Sequence, residues 1–170
     1  MPNQDIKGVI VPILTPLNSD ETVDKNSLRR LVNYLIDNGV HGIWVSGTTG
    51  EFGALSSKQR LDSMEIVVAE VAGQIPVIGN VSGASTQLSL NMALSVQEMG
   101  MDGVAVTPPY YYPHAQDELL DHDDKLLNDL DNMRRMYPVC SMIQTAGTLE
   151  VNGVVEIADN TVYYSDGGGE

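Results

Sequence analysis

Four short apolar runs alternate with three helix-length amphipathic stretches between residues 9 and 107, and that alternation limits the fold more than any other feature of the sequence. The first run, Val9-Ile10-Val11-Pro12-Ile13-Leu14, ends at the turn signal Thr15-Pro16, and its unbroken apolarity predicts a strand buried on both faces. Asp24 or Thr22 can cap a helix that carries Leu28, Leu31, Val32, Leu35 and Ile36 on one face and stops at Asn38-Gly39. Gly42 to Ser46 reads as a second strand. A second helix is expected from Ser56 to about Ala72, with Leu61, Met64, Val67, Val68 and Val71 inward. Pro76 to Val81 is the third strand. Ser85 or Thr86 opens a third helix (Leu88, Met92, Leu94, Val96, Met99) that Gly100 closes, and Gly103 to Thr107 is the fourth strand.

Strands and helices joined by such short links imply an α/β chain with parallel strands and right-handed crossovers. The spacing fits an open doubly wound sheet and a closed eight-strand barrel equally well. In both, ligand chemistry gathers at the carboxyl ends of the strands. Two segments fall there: Gly47-Thr48-Thr49-Gly50-Glu51 and Thr107-Pro108-Pro109-Tyr110-Tyr111-Tyr112-Pro113. Glycine on both sides of Thr48-Thr49 lets the chain turn sharply and present backbone N–H groups to a ligand. With two hydroxyls beside those amides, the turn suits a small carboxylate, on whose oxygens several fixed donors can converge.

Composition narrows the partners. At 170 residues the chain fits one domain with a sizeable core. Mean hydropathy is −0.08, and no apolar run approaches the ~20 residues of a membrane helix. Met1-Pro2-Asn3-Gln4-Asp5 lacks the basic and apolar regions of a signal peptide. Cys140 is the single cysteine, so no internal disulfide forms and a cytoplasmic location is expected. A net charge of −14 argues against nucleic acid and anionic membranes as partners. That charge is uneven: residues 1–115 hold 11 acids and 6 Lys/Arg, residues 116–170 hold 12 and 3.

Beyond residue 115 the pattern weakens. Leu119, Leu120, Leu126, Leu127, Leu130 and Met133 mark a fourth amphipathic helix whose aspartates read as a solvated face. Those aspartates lack the glycine of an EF-hand loop. Pro138 to Ile143 is a candidate fifth strand, Asn152 to Ala158 a short helix, and Thr161 to Tyr164 a sixth strand. His41, His114 and His122 are isolated in sequence and read as surface residues, so no metal is expected.

With these residues in view, the sequence resembles the dihydrodipicolinate synthase and N-acetylneuraminate lyase family of pyruvate-type aldolases. The resemblance covers about residues 6–122. It is carried by Gly8-Val9 with Thr15-Pro16, Gly39-Val40-His41-Gly42, Gly47 to Glu51, Pro76-Val77-Ile78, Ser85-Thr86, Gly100-Met101-Asp102-Gly103 and Thr107-Pro108-Pro109-Tyr110-Tyr111. It implies a TIM-type (β/α)8 barrel, here incomplete with about six of eight βα units. The whole of 1–170 is then one truncated barrel domain, with 6–122 well matched and 123–170 divergent. It further implies a homo-oligomer, a 2-keto acid substrate such as pyruvate, and no cofactor. Gly47, Thr48 and Thr49 would hold the substrate carboxylate, and Tyr110, reaching in from a neighbouring subunit, would share a proton relay with Thr48.

The family's chemistry also needs a lysine at the end of the sixth strand, which forms a Schiff base, and a proton-shuttling tyrosine at the end of the fifth. Alignment places Ser165 where that lysine belongs and Met142 where the tyrosine belongs, and no lysine follows Lys125. A serine hydroxyl makes no imine, and methionine relays no proton. Lys7, Lys25, Lys58 and Lys125 lie in the leader or on helical segments and are expected to be exposed. Three functions are therefore open. One is imine-mediated aldol chemistry by descent; another is a non-catalytic carboxylate-binding or association protein; the last is a truncated product with no independent function.

Overall fold

The computed structural model describes residues 6–110, 112–115, 117–122, 124–126 and 128, with the strand backbone at 141–144, 156–157 and 160–161. In chain order, β1 (Ile10–Pro12), α1 (Lys25–Asp37), β2 (Gly42–Val45), α2 (Ser57–Val71), β3 (Val77–Asn80), α3 (Thr86–Glu98) and β4 (Gly103–Val106) follow the expected alternation. Helical backbone at 117–122 and 124–126 then leads toward β5 (Ser141–Gln144).

The helix ends follow from local chemistry. Asp24, not Thr22, caps α1, its Oδ1 accepting from the amides of Asn26 (3.1 Å) and Ser27 (3.0 Å). Hydrogen bonds from Ser27 hold the Asp24 carboxyl below its ordinary range. Ser56 and Gln59 close a capping box at the start of α2, and Ser85 caps α3. Gly39 and Gly100, with φ of +75° and +78°, end α1 and α3 in a conformation other residues rarely adopt.

All five strands are parallel and lie in sequence order, β1-β2-β3-β4-β5. A doubly wound sheet reverses its order at a switch point; this one does not. It is an incomplete barrel of the TIM type. Ile43, Val45, Val77, Val104 and Val106 join Leu28, Val32, Met64, Val67 and Val96 in one buried core. Alternate strand residues turn the other way: Ile10, Trp44, Ile78 and Ala105 line a hollow of about 370 Å³ on the opposite face.

Several expectations change. The run at β1 is not buried on both faces: Val9 and Leu14 are 58% and 57% exposed, because β1 ends the sheet and only β2 pairs with it among the described residues. On α3, Leu88 and Leu94 face solvent, while Ser89, Met92, Ala93 and Val96 form the buried stripe. The missing side chain at Gly79 on β3 leaves room for Met101 and for Val96 of α3. A Cβ on Gly79 would sit 2.5 Å from Met101 Sδ and 3.1 Å from Val96 Cγ1. The fifth strand is present, with Met142 in register with Val104 and Ile143 with Ala105. The expected short helix over 152–158 is replaced, at its described residues, by a strand. β6 (Glu156–Ile157) pairs antiparallel with β7 (Asn160–Thr161), so Thr161 belongs to that hairpin and not to the parallel sheet. Among the described residues no helix is long and apolar enough to cross a membrane.

Candidate carboxylate site at the strand ends

Leaving β2, the chain turns through two non-glycine residues in the left-handed region, Ser46 (φ +54°) and Glu51 (φ +58°). Such residues cost on the order of 1–3 kcal/mol each and persist only where surrounding contacts impose them. Between them the turn closes on itself. Glu51 N–H donates to the Thr48 carbonyl (3.0 Å) and Phe52 N–H to the Gly47 carbonyl (3.3 Å). The amides of Thr48, Thr49 and Gly50 have no acceptor among the described residues, and both threonine side chains are exposed. Gly50 is buried against β1: a Cβ there would lie 3.0 Å from the Ile13 carbonyl oxygen and 3.1 Å from Ser46 Cα. Thr15 Oγ1 donates to its carbonyl at 2.9 Å, so the turn is clamped from one side.

A buried polar layer lies beneath. Ser46 Oγ and Ser63 Oγ are 3.0 Å apart, and Ser63 Oγ donates to the Arg60 carbonyl. Asn80 Nδ2 donates to the Ser46 carbonyl at 2.7 Å. Ser82 donates its hydroxyl to Asn80 Oδ1 (2.6 Å), and Thr107 donates both N–H (2.7 Å) and hydroxyl (2.9 Å) to Ser82 Oγ. The exits of β2, β3 and β4 are thereby tied together.

Arg60 closes this layer from α2. It is 7% exposed and donates from Nη1 to the Ser82 carbonyl (2.9 Å) and from Nη2 to the Asn80 carbonyl (2.6 Å). Among the described residues no carboxylate pairs with it, and Nε has no acceptor. Burial lowers its pKa from the ordinary arginine value. The guanidinium carbon sits 5.4 Å from the centroid of Phe52, and Tyr110 meets that ring edge-on, with centroids 5.4 Å apart and planes at 86°.

The residues singled out in the sequence are distributed as follows. Thr48 and Tyr110 share a hollow of about 500 Å³ with Glu51, Phe52 and Thr107. No hydrogen bond links Thr48 to Tyr110, whose ring is 53% exposed. Thr49 points outside that lining, and Gly47 is buried against Trp44. Met142 stands at the strand position opposite Val104, and Ser165 lies outside the described residues. Lys7, Lys25, Lys58 and Lys125 are all exposed, as expected.

His41 and His114 are exposed, but His122 is not a surface residue. It is 4% exposed and bonded through Nδ1 to Thr86 Oγ1 at 2.7 Å. Burial, and secondarily His114, lowers its pKa. Its surroundings come from α3, more than thirty residues earlier, and no local pattern announces them. No group of three metal-ligating side chains converges among the described residues. Arg60, Asn80, Ser82, Ser46 and Ser63 were not evident from sequence reasoning. One signal was available for Arg60: it occupies the inward stripe of α2, one turn before Met64.

Comparison with known proteins bears on the family and the fold. The model of the dihydrodipicolinate synthetase family matches residues 5–161. An N-acetylneuraminate lyase of Escherichia coli (strain SE11) is 37% identical over 129 residues, covering 76% of this chain and 43% of that protein. The dihydrodipicolinate synthase structure from Aquifex aeolicus superposes with a TM-score of 0.74 at 30% identity, covering 83% of this chain and 45% of that one. A chloride-inhibited dihydrodipicolinate synthase from Acinetobacter baumannii, solved with pyruvate, superposes with a TM-score of 0.75 at 27% identity, over 84% and 46%. The chain thus spans less than half the length of the relatives it matches.

Proposed function

The chain belongs to the dihydrodipicolinate synthetase family, and from that premise we propose that it binds the carboxylate of a 2-keto acid such as pyruvate without carrying out imine chemistry. The observation that carries the proposal is the turn itself: unaccepted amides at Thr48, Thr49 and Gly50 beside two exposed threonine hydroxyls. A carboxylate offers about four acceptor positions, which these donors can fill. The net charge of −14 opposes any anion at long range. Salt screens that repulsion beyond about 8 Å, so donors in contact with the ligand decide the outcome.

Covalent catalysis is another matter. The family reaction needs an amine at a strand end, and alignment puts Ser165 at the position that amine would occupy. Tyr110 stays in the proposal as a proton donor or acceptor at the rim of the hollow it shares with Thr48. Its exposed ring, with Tyr112 beside it in sequence, fits contact with a neighbouring copy in a homo-oligomer. A second reading, association without a ligand, is favoured by the exposed Val9 and Leu14 beside the sheet edge at β1.

Thermal unfolding with pyruvate tests the binding reading. A dissociation constant on the order of 1 mM is reasonable for so small an anion. At 20 mM ligand it would stabilise the protein by about 1.8 kcal/mol. The stabilisation should vanish in the Thr48→Val/Thr49→Val variant. An equal rise in that variant would place pyruvate elsewhere, and no rise in the unaltered protein would overturn the reading.

A further inference from the structure

We propose that Asn80 is the positioning residue of the carboxylate site. By fixing the Ser46 carbonyl, it orients the amides of the turn toward the ligand. The inference deepens the binding reading above and rests on it for the identity of the ligand.

The argument begins with peptide geometry. The Ser46 carbonyl and the Gly47 N–H belong to one planar, trans unit and point in opposite directions. Holding the carbonyl inward, on the Asn80 amide, turns the Gly47 N–H away from the interior and sets the start of the run that continues through Thr48, Thr49 and Gly50. Ser46 needs such a hold, because its left-handed backbone (φ +54°) is not one that serine adopts freely.

Asn80 is itself over-determined. It is 1% exposed. Its Oδ1 accepts from both the Ser82 amide (3.2 Å) and the Ser82 hydroxyl (2.6 Å), and its backbone carbonyl accepts from Arg60 Nη2. One end of the side chain faces a backbone N–H and the other a backbone carbonyl. The amide therefore has a single orientation that satisfies both. The other polar groups of the layer act elsewhere: Ser63 meets the Ser46 side chain and the Arg60 carbonyl, and Arg60 meets the carbonyls of β3's exit. Among the described residues, Asn80 alone joins a side chain to the backbone at the Ser46 end of the turn, while Thr15 holds the Gly50 end.

Amide hydrogen exchange on the free protein, read beside pyruvate affinity, tests this. A hydrogen bond of this kind is worth about 1 kcal/mol net, or roughly tenfold in an equilibrium. Asn80→Ala should therefore speed exchange at the amides of Glu51 and Phe52, the two that close the turn by hydrogen bonds, by about tenfold, leave α1 unchanged, and weaken pyruvate binding by a similar factor. Ser82→Ala removes one of the two bonds that hold Asn80 Oδ1 and keeps the other, from the Ser82 N–H, so it should raise exchange at Glu51 and Phe52 by clearly less than Asn80→Ala. Unchanged turn exchange in Asn80→Ala, a uniform rise that includes α1, or an equal effect of Ser82→Ala would each overturn the assignment. Turn exchange that rises as expected in a protein that binds no pyruvate would overturn the binding reading and leave the positioning role intact.

If Asn80→Ala does not fold, the unaltered protein still decides. Its Asn80 Nδ2 protons should exchange as slowly as strand amides, and rapid exchange there contradicts the proposal.

Discussion

Residues 6–110 and the chain beyond 115 differ in what they contribute. The first region has its helices capped by Asp24, Ser56 and Ser85 and supplies the core from Ile13 to Val106, to which the later region adds Leu126. It also contains the whole proposed carboxylate floor, from Ser46 to Glu51 with Arg60, Asn80 and Ser82 beneath. The second region holds 12 acids against 3 Lys/Arg, and the proposal places Met142 and Ser165 where the family's covalent chemistry would need tyrosine and lysine. On the proposal above, scaffold and anion recognition belong to one part of a (β/α) chain and the reacting amine to another, so that one could persist without the other.

The largest expected contrast between the regions is in packing. Leu28→Ala removes a fully buried side chain and should cost about 2–5 kcal/mol in denaturant unfolding. Leu120→Ala, at 44% exposure in the later region, should cost less than about 1 kcal/mol. Comparable losses would mean that Leu120 is packed as Leu126 is, the residue through which the later region joins the core. Gly50→Ala probes the join between scaffold and site. Its Cβ would press on the Ile13 carbonyl and Ser46 Cα, so stability should fall by about 1–3 kcal/mol and the pyruvate-dependent rise in unfolding temperature should disappear.

The smallest effect concerns His122, where the regions meet. Burial puts its folded-state pKa below the unfolded value, so the unfolded chain takes up a proton first as pH falls. Stability from this group is complete above about pH 6.5 and declines as pH drops through that value toward the folded-state pKa. His122→Gln should flatten that part of the stability profile. The carboxyls of Asp20 and Asp24 act in the same direction at lower pH, below the ordinary aspartate value, because hydrogen bonds hold their folded-state pKa values down.

Much of the first region was legible in the sequence because its signals are local. Ser56 with Gln59, Asp24 with its following amides, and glycines after the last helical turn act over three or four residues. The Gly47–Glu51 turn was legible for the same reason. What sequence did not disclose depends on distant partners. Asn80 reaches Ser46 across 34 positions, and Thr86 reaches His122 across 36. The exposure of Val9 and Leu14 depends on what lies beyond the edge of β1, which an apolar run cannot encode. The stripe on α3 runs through Ser89 and Ala93 and leaves Leu88 and Leu94 in solvent, which the spacing of the apolar residues alone does not disclose.

Borohydride reduction in the presence of pyruvate, followed by intact-mass and peptide mass spectrometry, tests the separation of floor from amine most directly. The protein should show pyruvate-dependent stabilisation and no covalent adduct on Lys7, Lys25, Lys58, Lys125 or any other residue. A reduced pyruvyl adduct on a lysine, abolished by replacing that lysine and accompanied by steady turnover, would contradict the account.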